Sequence, residues 1–183
     1  EEERATRAAT KWAKSGPGAT TYERRHFRHE LATALILIEG ARLQGAGMWG
    51  ISDEVAAGAL DLVAYLAAAH HGKIRLALRS LPGERPRETA PGEVAVVARG
   101  IVDGDVVPAA TVGDVVVPEM RLDLGMMAIG TSPDGEPSWL DRTLRLRDRF
   151  GPFKLGFLEA LVRLADWEAS ARPGISDGES ADA

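Results

Sequence analysis

The hydrophobic period of this chain changes twice, and that change limits its architecture more than any other feature. Up to about residue 71 the apolar residues recur at helical spacing. From 92 to 124 the pattern becomes that of short strands: "GEVAVVARGIV", "VVPAATV" and "GDVVVPEMRLDL", with an Asp-Gly turn expected at Asp103–Gly104. Helical spacing then returns and holds to about residue 172. A chain of this pattern is mainly α, a helical bundle with one inserted β-ribbon, and the ribbon is expected to decorate the helical body. Pro108 and Pro118 direct its strands to sheet edges, since proline offers no ladder donor.

Several helices can be placed. Residues 2–14 read as a short helix anchored by Trp12, followed by a loop broken at Gly16, Pro17 and Gly18. "FRHELATALILIE" (27–39) is apolar almost all round and belongs in the interior. After the glycine-rich "GARLQGAGMWG", Ser52 is placed to cap a helix with Asp53 and Glu54 in its first turn. Val55, Ala59, Leu62, Val63 and Leu66 form the expected inner stripe of that helix, and Gly72 stops it. Two helices finish the domain, one near "SWLDRTLRLRDRF" and one starting at Gly151-Pro152. With 183 residues the expectation is a single domain over 1–172 and a disordered polar tail over 173–183.

The helix stopped by Gly72 ends in "YLAAAHHGKIR", which places His70 and His71 side by side; the other histidines are His26 and His29. Two buried imidazoles need partners for up to four ring nitrogens, at about 1–3 kcal/mol for each one left unsatisfied. A divalent cation answers that need. Adjacent side chains diverge around a helix, however, so the pair is expected to serve two neighbouring ions, or one ion and its surroundings. A helix C-terminus that favours imidazolium is the competing explanation. Asp166 interrupts the apolar "LVRLADWEAS", so it meets either an arginine such as Arg163 or a metal.

Net charge is −5, from 22 basic and 27 acidic residues, so the molecule as a whole does not attract nucleic acid. Basic residues nevertheless cluster: Arg24, Arg25 and Arg28 around His26 and His29, Lys73, Arg75, Arg79, Arg85 and Arg87 beyond the doublet, and Arg142 to Arg149. Two of these clusters adjoin the histidines, which suits a phosphate-bearing substrate; ordinary solvated faces are the alternative. No cysteine is present, which excludes disulfides, thiolate metal sites and a cysteine nucleophile, and fits a cytoplasmic location. No apolar run approaches the roughly 18 residues of a membrane span, and no secretory signal opens the chain. Phosphate-binding glycine loops, serine elbows and the His-Glu-x-x-His pair are all absent.

"FRHELATAL", "YLAAAHHGKIRLALRSLP" and "LADWEAS", in that order, resemble the HD nuclease domain of the type I CRISPR-associated helicase–nuclease. The likeness covers most of residues 11–172, including "AKSG" at Ala13–Gly16. It implies an HD-type helical bundle in which His29, His70, His71 and Asp166 hold one or two divalent transition-metal ions (Mn, Ni, Co, Fe or Zn, with Mg as an option). It further implies hydrolysis of single-stranded DNA. Lys73 and Arg75 would stand near the reacting strand, with Arg28, Arg75 and Arg79 on its phosphates. The implied partners are single-stranded DNA, a helicase domain and a CRISPR surveillance complex, with no membrane. The family's upstream histidine and His-Asp doublet have no counterpart, because no histidine precedes His26 and no His-Asp dipeptide occurs. Those ligands are expected to belong to sequence ahead of Glu1, which would leave this piece weakly active. An HD phosphohydrolase of nucleotides, or a non-catalytic module that docks on the helicase or the complex, are the other two readings.

Overall fold

The computed structural model describes residues 27–52, 54–131 and 135–171. The expected helix over 2–14, the loop after it, Arg24, Arg25, His26 and the tail over 173–183 lie outside these residues.

Among the described residues, three long helices and eight short strands follow in order. Helix α1 (His29–Gln44) buries Leu31, Ala34, Leu35 and Ile38, as its apolar circumference requires. It runs through "GARLQ", further than the expected stop at Glu39. Helix α2 (Ala56–Ala69) packs against it. Ser52 does not cap α2, since the helix begins at Ala56 after a turn in which Val55 donates to the Ser52 carbonyl. Nor is the inner stripe the one expected. Val55 and Val63 are exposed, while Ala64, Tyr65, Ala68 and Ala69 are buried. Small side chains on that face let α1 approach closely, and burial of Tyr65 rotates the helix toward it.

Helix α3 (Trp139–Ala171) consists of two straight pieces meeting at Gly151, whose backbone (φ 76, ψ 155) leaves the helical region just before Pro152. This is the break expected between the last two helices. Ser138 caps the first piece by accepting the Asp141 amide at 3.1 Å. The second piece leaves Phe153, Phe157, Leu161, Leu164 and Trp167 exposed along one side. Among the described residues no helix is long and apolar enough to cross a membrane.

The strands are β1 (Arg87–Ala90), β2 (Glu93–Ala95), β3 (Val97–Ala98), β4 (Ile101–Val102), β5 (Val106–Val107), β6 (Ala110–Val112), β7 (Val115–Val117) and β8 (Met120–Arg121). They form four two-stranded antiparallel ribbons, β1–β2, β3–β4, β5–β8 and β6–β7. The excursion therefore starts at Arg87, ahead of Gly92. Asp103–Gly104 is not a hairpin turn, because β4 pairs backward with β3 and β5 pairs forward with β8. The two aspartates tie that bend: Asp105 accepts the Val102 amide at 2.8 Å and Asp103 accepts the Leu124 amide at 2.8 Å. The β3–β4 turn falls instead on Arg99 and Gly100, both at positive φ (55 and 79). Such a two-residue turn favours Asn and Gly; an arginine in the left-handed region costs on the order of 1–2 kcal/mol.

The excursion also does more than decorate. Ala98, Ile101, Leu122 and Leu124 join α1, α2, Ile74, Trp139, Leu146 and Leu155 in one buried cluster. Burial at about 25 cal/mol per Å² of apolar surface makes this shared core the main stabilising term. It also fixes the ends of α1 and α2 against each other, which is where the histidines stand.

Candidate metal centre

His29 is the first residue of α1, while His70 caps the end of α2 and His71 follows in the turn closed by Gly72 (φ 68). The doublet does not diverge: His70 keeps helical backbone angles (φ −58, ψ −26) at the end of α2, yet the two rings come to 4.0 Å between centroids. His29 lies 5.9 Å from His70 and 5.1 Å from His71 by the same measure. One ligand atom from each of the three lies within 4.8 Å of the others, and all three residues are half-buried.

Hydrogen-bond partners select the nitrogens. His70 Nδ1 stands 2.7 Å from the Ala67 carbonyl, which only accepts, so Nδ1 carries the proton and Nε2 is left bare. His29 Nδ1 lies 3.6 Å from Glu30 Oε2, and that carboxylate favours the same tautomer. His29 Nε2 then accepts a hydrogen bond at 3.3 Å from His71 Nε2, whose proton a cation would displace. Two imidazole nitrogens bound tetrahedrally at about 2.0–2.1 Å from one ion stand roughly 3.3–3.4 Å apart, so this spacing fits a shared cation. The His71 pKa is lowered from 6.5, first by burial and then by the neighbouring His70, with His29 adding to the effect and Glu30 and Asp166 opposing it. A neutral imidazole is the form that binds metal.

Glu30 is the residue that the sequence did not mark. It is 1% exposed, and neither carboxylate oxygen has a hydrogen bond. Its nearest charged neighbours are His29 and Arg28, whose Nε lies 4.0 Å from Oε1. A buried carboxylate without donors needs positive charge nearby. A cation held by the three imidazoles would supply it, and the donor set therefore fits a divalent transition metal. The signal in the sequence was an acidic residue directly after His29, ahead of the largely apolar run from Leu31 to Ile38.

The other expected site residues are distributed unevenly. Asp166 is half-buried on α3 and its charge reaches His71, but it stands outside the tight group of three. It forms no ion pair with Arg163, whose guanidinium lies 4.7 Å over the Trp167 ring. Arg75 is held by Glu159, with Nε donating to Oε2 at 2.8 Å, and Tyr65 donates to the other oxygen at 2.5 Å. Lys73 and Arg79 are exposed. Arg28 turns its Nε inward toward Glu30. The cluster from Arg142 to Arg149 is largely paired within the protein: Arg142 with Asp61 and Glu136, Arg145 with Asp141, Arg147 with Asp148. No family model matches the chain, and neither a curated protein nor a solved structure does.

Proposed function

We propose that this chain is the hydrolytic part of a metal-dependent nuclease acting on single-stranded DNA, built on an HD-type helical bundle. The observation that supports the reading most is the convergence of His29, His70 and His71, with one ring nitrogen of each within 4.8 Å of the other two and Glu30 buried beside His29. These three residues would hold a divalent transition ion, and the chemistry that it would supply there is a lowered pKa for water and polarisation of a phosphodiester.

The chain's own residues divide the remaining work. Burial and its histidine neighbours keep His71 neutral and ready as a ligand near pH 7. Glu30 orients His29 and balances cationic charge. Asp166, on the next helix, adds negative charge on the His71 side and is the carboxylate offered to a second ion. Lys73 and Arg79 are free to meet phosphate oxygens; Arg75 reaches them only with the part of its guanidinium that Glu159 leaves available. Three imidazoles serve one ion well and two ions poorly, so a low rate is expected.

The test is direct. The purified chain should retain about one transition-metal ion and nick closed circles of single-stranded DNA with manganese or nickel, leaving duplex circles intact. Substituting His71→Ala should remove both the ion and the nicking. A chain that holds no ion under these conditions would end this reading, and one that releases phosphate only from free nucleotides would redirect it to nucleotide hydrolysis.

A further inference from the structure

Arg99 occupies the first position of the β3–β4 turn at φ 55, the single non-glycine residue with positive φ among the described residues. Strained backbone persists where the surrounding structure demands it, and it is a reasonable pointer to function. The surroundings of Arg99 are specific. Its carbonyl accepts the Arg28 amide at 3.0 Å, one residue before His29. Its Nη2 donates to the Lys73 carbonyl at 3.3 Å, two residues beyond His71. Arg99 thus bridges the two segments that carry the imidazoles. Its Nε is buried and has no hydrogen bond.

The same side chain lines a surface cleft of about 430 Å³ together with Arg79, Ser80, Leu81 and Pro82. Both arginines line this cleft, and neither forms an ion pair with a described carboxylate. Glu84, beside the turn, is occupied otherwise: Oε2 accepts the Leu81 and Arg99 amides (2.5 and 3.0 Å) and Oε1 accepts the Gly100 amide (2.7 Å). Ser80 donates to the Val97 carbonyl at 2.6 Å and fixes the cleft floor. Glu84 therefore holds the turn in its strained form while leaving both arginines uncompensated.

We infer that the cleft between Arg79 and Arg99 binds a phosphodiester group of a single nucleic-acid strand and leads that strand toward the histidine cluster. The identity of the ligand rests on the nuclease reading; the anion site itself rests on the two arginines. Arginine forks suit phosphate oxygens, and a site joined by hydrogen bonds to both histidine segments sets the strand's path relative to the point of hydrolysis.

Binding can be measured without hydrolysis, by anisotropy of a labelled single-stranded oligonucleotide with the full chain in EDTA. Arg79→Ala and Arg99→Asn should each weaken binding about five- to tenfold and lower the slope of log K against log salt by about 0.7. Asparagine is favoured at the turn position, so Arg99→Asn should keep or raise the melting temperature while binding falls. Unchanged affinity and salt slope in both variants would overturn the site. So would a melting temperature that drops with Arg99→Asn in step with affinity, since that marks a brace between segments. A chain that binds through these arginines but never cuts refutes the hydrolytic reading alone. One that cuts, with binding indifferent to both substitutions, refutes this site alone.

Discussion

At the scale of single residues, the tautomers decide what the centre can do. His70 is fixed by the Ala67 carbonyl, which accepts from Nδ1 and leaves Nε2 bare, while the Glu30 carboxylate 3.6 Å from His29 Nδ1 favours the same tautomer there. Glu30 has no hydrogen bond to weigh against its burial, a situation that costs about 1–3 kcal/mol without a compensating partner. Replacing it with the isosteric Gln removes charge and not volume. Glu30→Gln should therefore weaken metal binding by about 10- to 100-fold, as loss of an orienting carboxylate does, while the metal-free protein melts no earlier. Calorimetric titration with nickel beside thermal unfolding in EDTA separates the two effects. Equal metal affinity in the variant would show that Glu30 acts on packing alone.

At the scale of elements, α2 and α3 are clamped by Tyr65, Glu159 and Arg75. The Tyr65 hydroxyl is pushed well above its ordinary value of 10.0, by burial first, then by its hydrogen bond to Glu159 and that residue's negative charge, with Arg75 opposing. The folded state thus keeps a proton that the unfolded chain releases above pH 10, so stability declines as pH rises through that value. Tyr65→Phe should destabilise by about 1.5–3 kcal/mol at neutral pH. In denaturant melts the gap between wild type and variant should narrow from about pH 9 to about pH 11. A gap that stays constant would mean the proton is not retained. Glu159 and Asp166 are seven residues apart, two helical turns, and so share a face of α3; the clamp sets the face that Asp166 presents to His71. Periodicity made α1, α2 and the break at Gly151 legible in the sequence, because each follows from local spacing. It misplaced the α2 stripe, where small alanines beside Tyr65 decide the contact, and the ribbon pairing, where β5 skips to β8. Neither depends on near neighbours in the chain. The three histidines were legible as residues, whereas their approach depends on the packing of α1 against α2, a long-range contact that local spacing does not carry.

For the whole molecule, the centre and the core depend on each other. His29 and His71 are 42 positions apart and meet only because the shared core, ribbon residues included, holds the ends of α1 and α2 together. An ion that binds only the folded chain stabilises it by mass action, about 2.7 kcal/mol at a concentration 100 times the dissociation constant. For a chain of this size that raises the melting temperature by roughly 5–10 °C. The rise should vanish in His71→Ala, and it should shrink as pH falls through the lowered pKa of His71, where protons compete with the ion for that imidazole. A rise that persists in the alanine variant would place the ion elsewhere. No excised peptide shorter than the reach from His29 to His71 could carry this centre. A protease that nicked the connection between the first two helices would leave the rings in place for as long as the severed halves stayed packed.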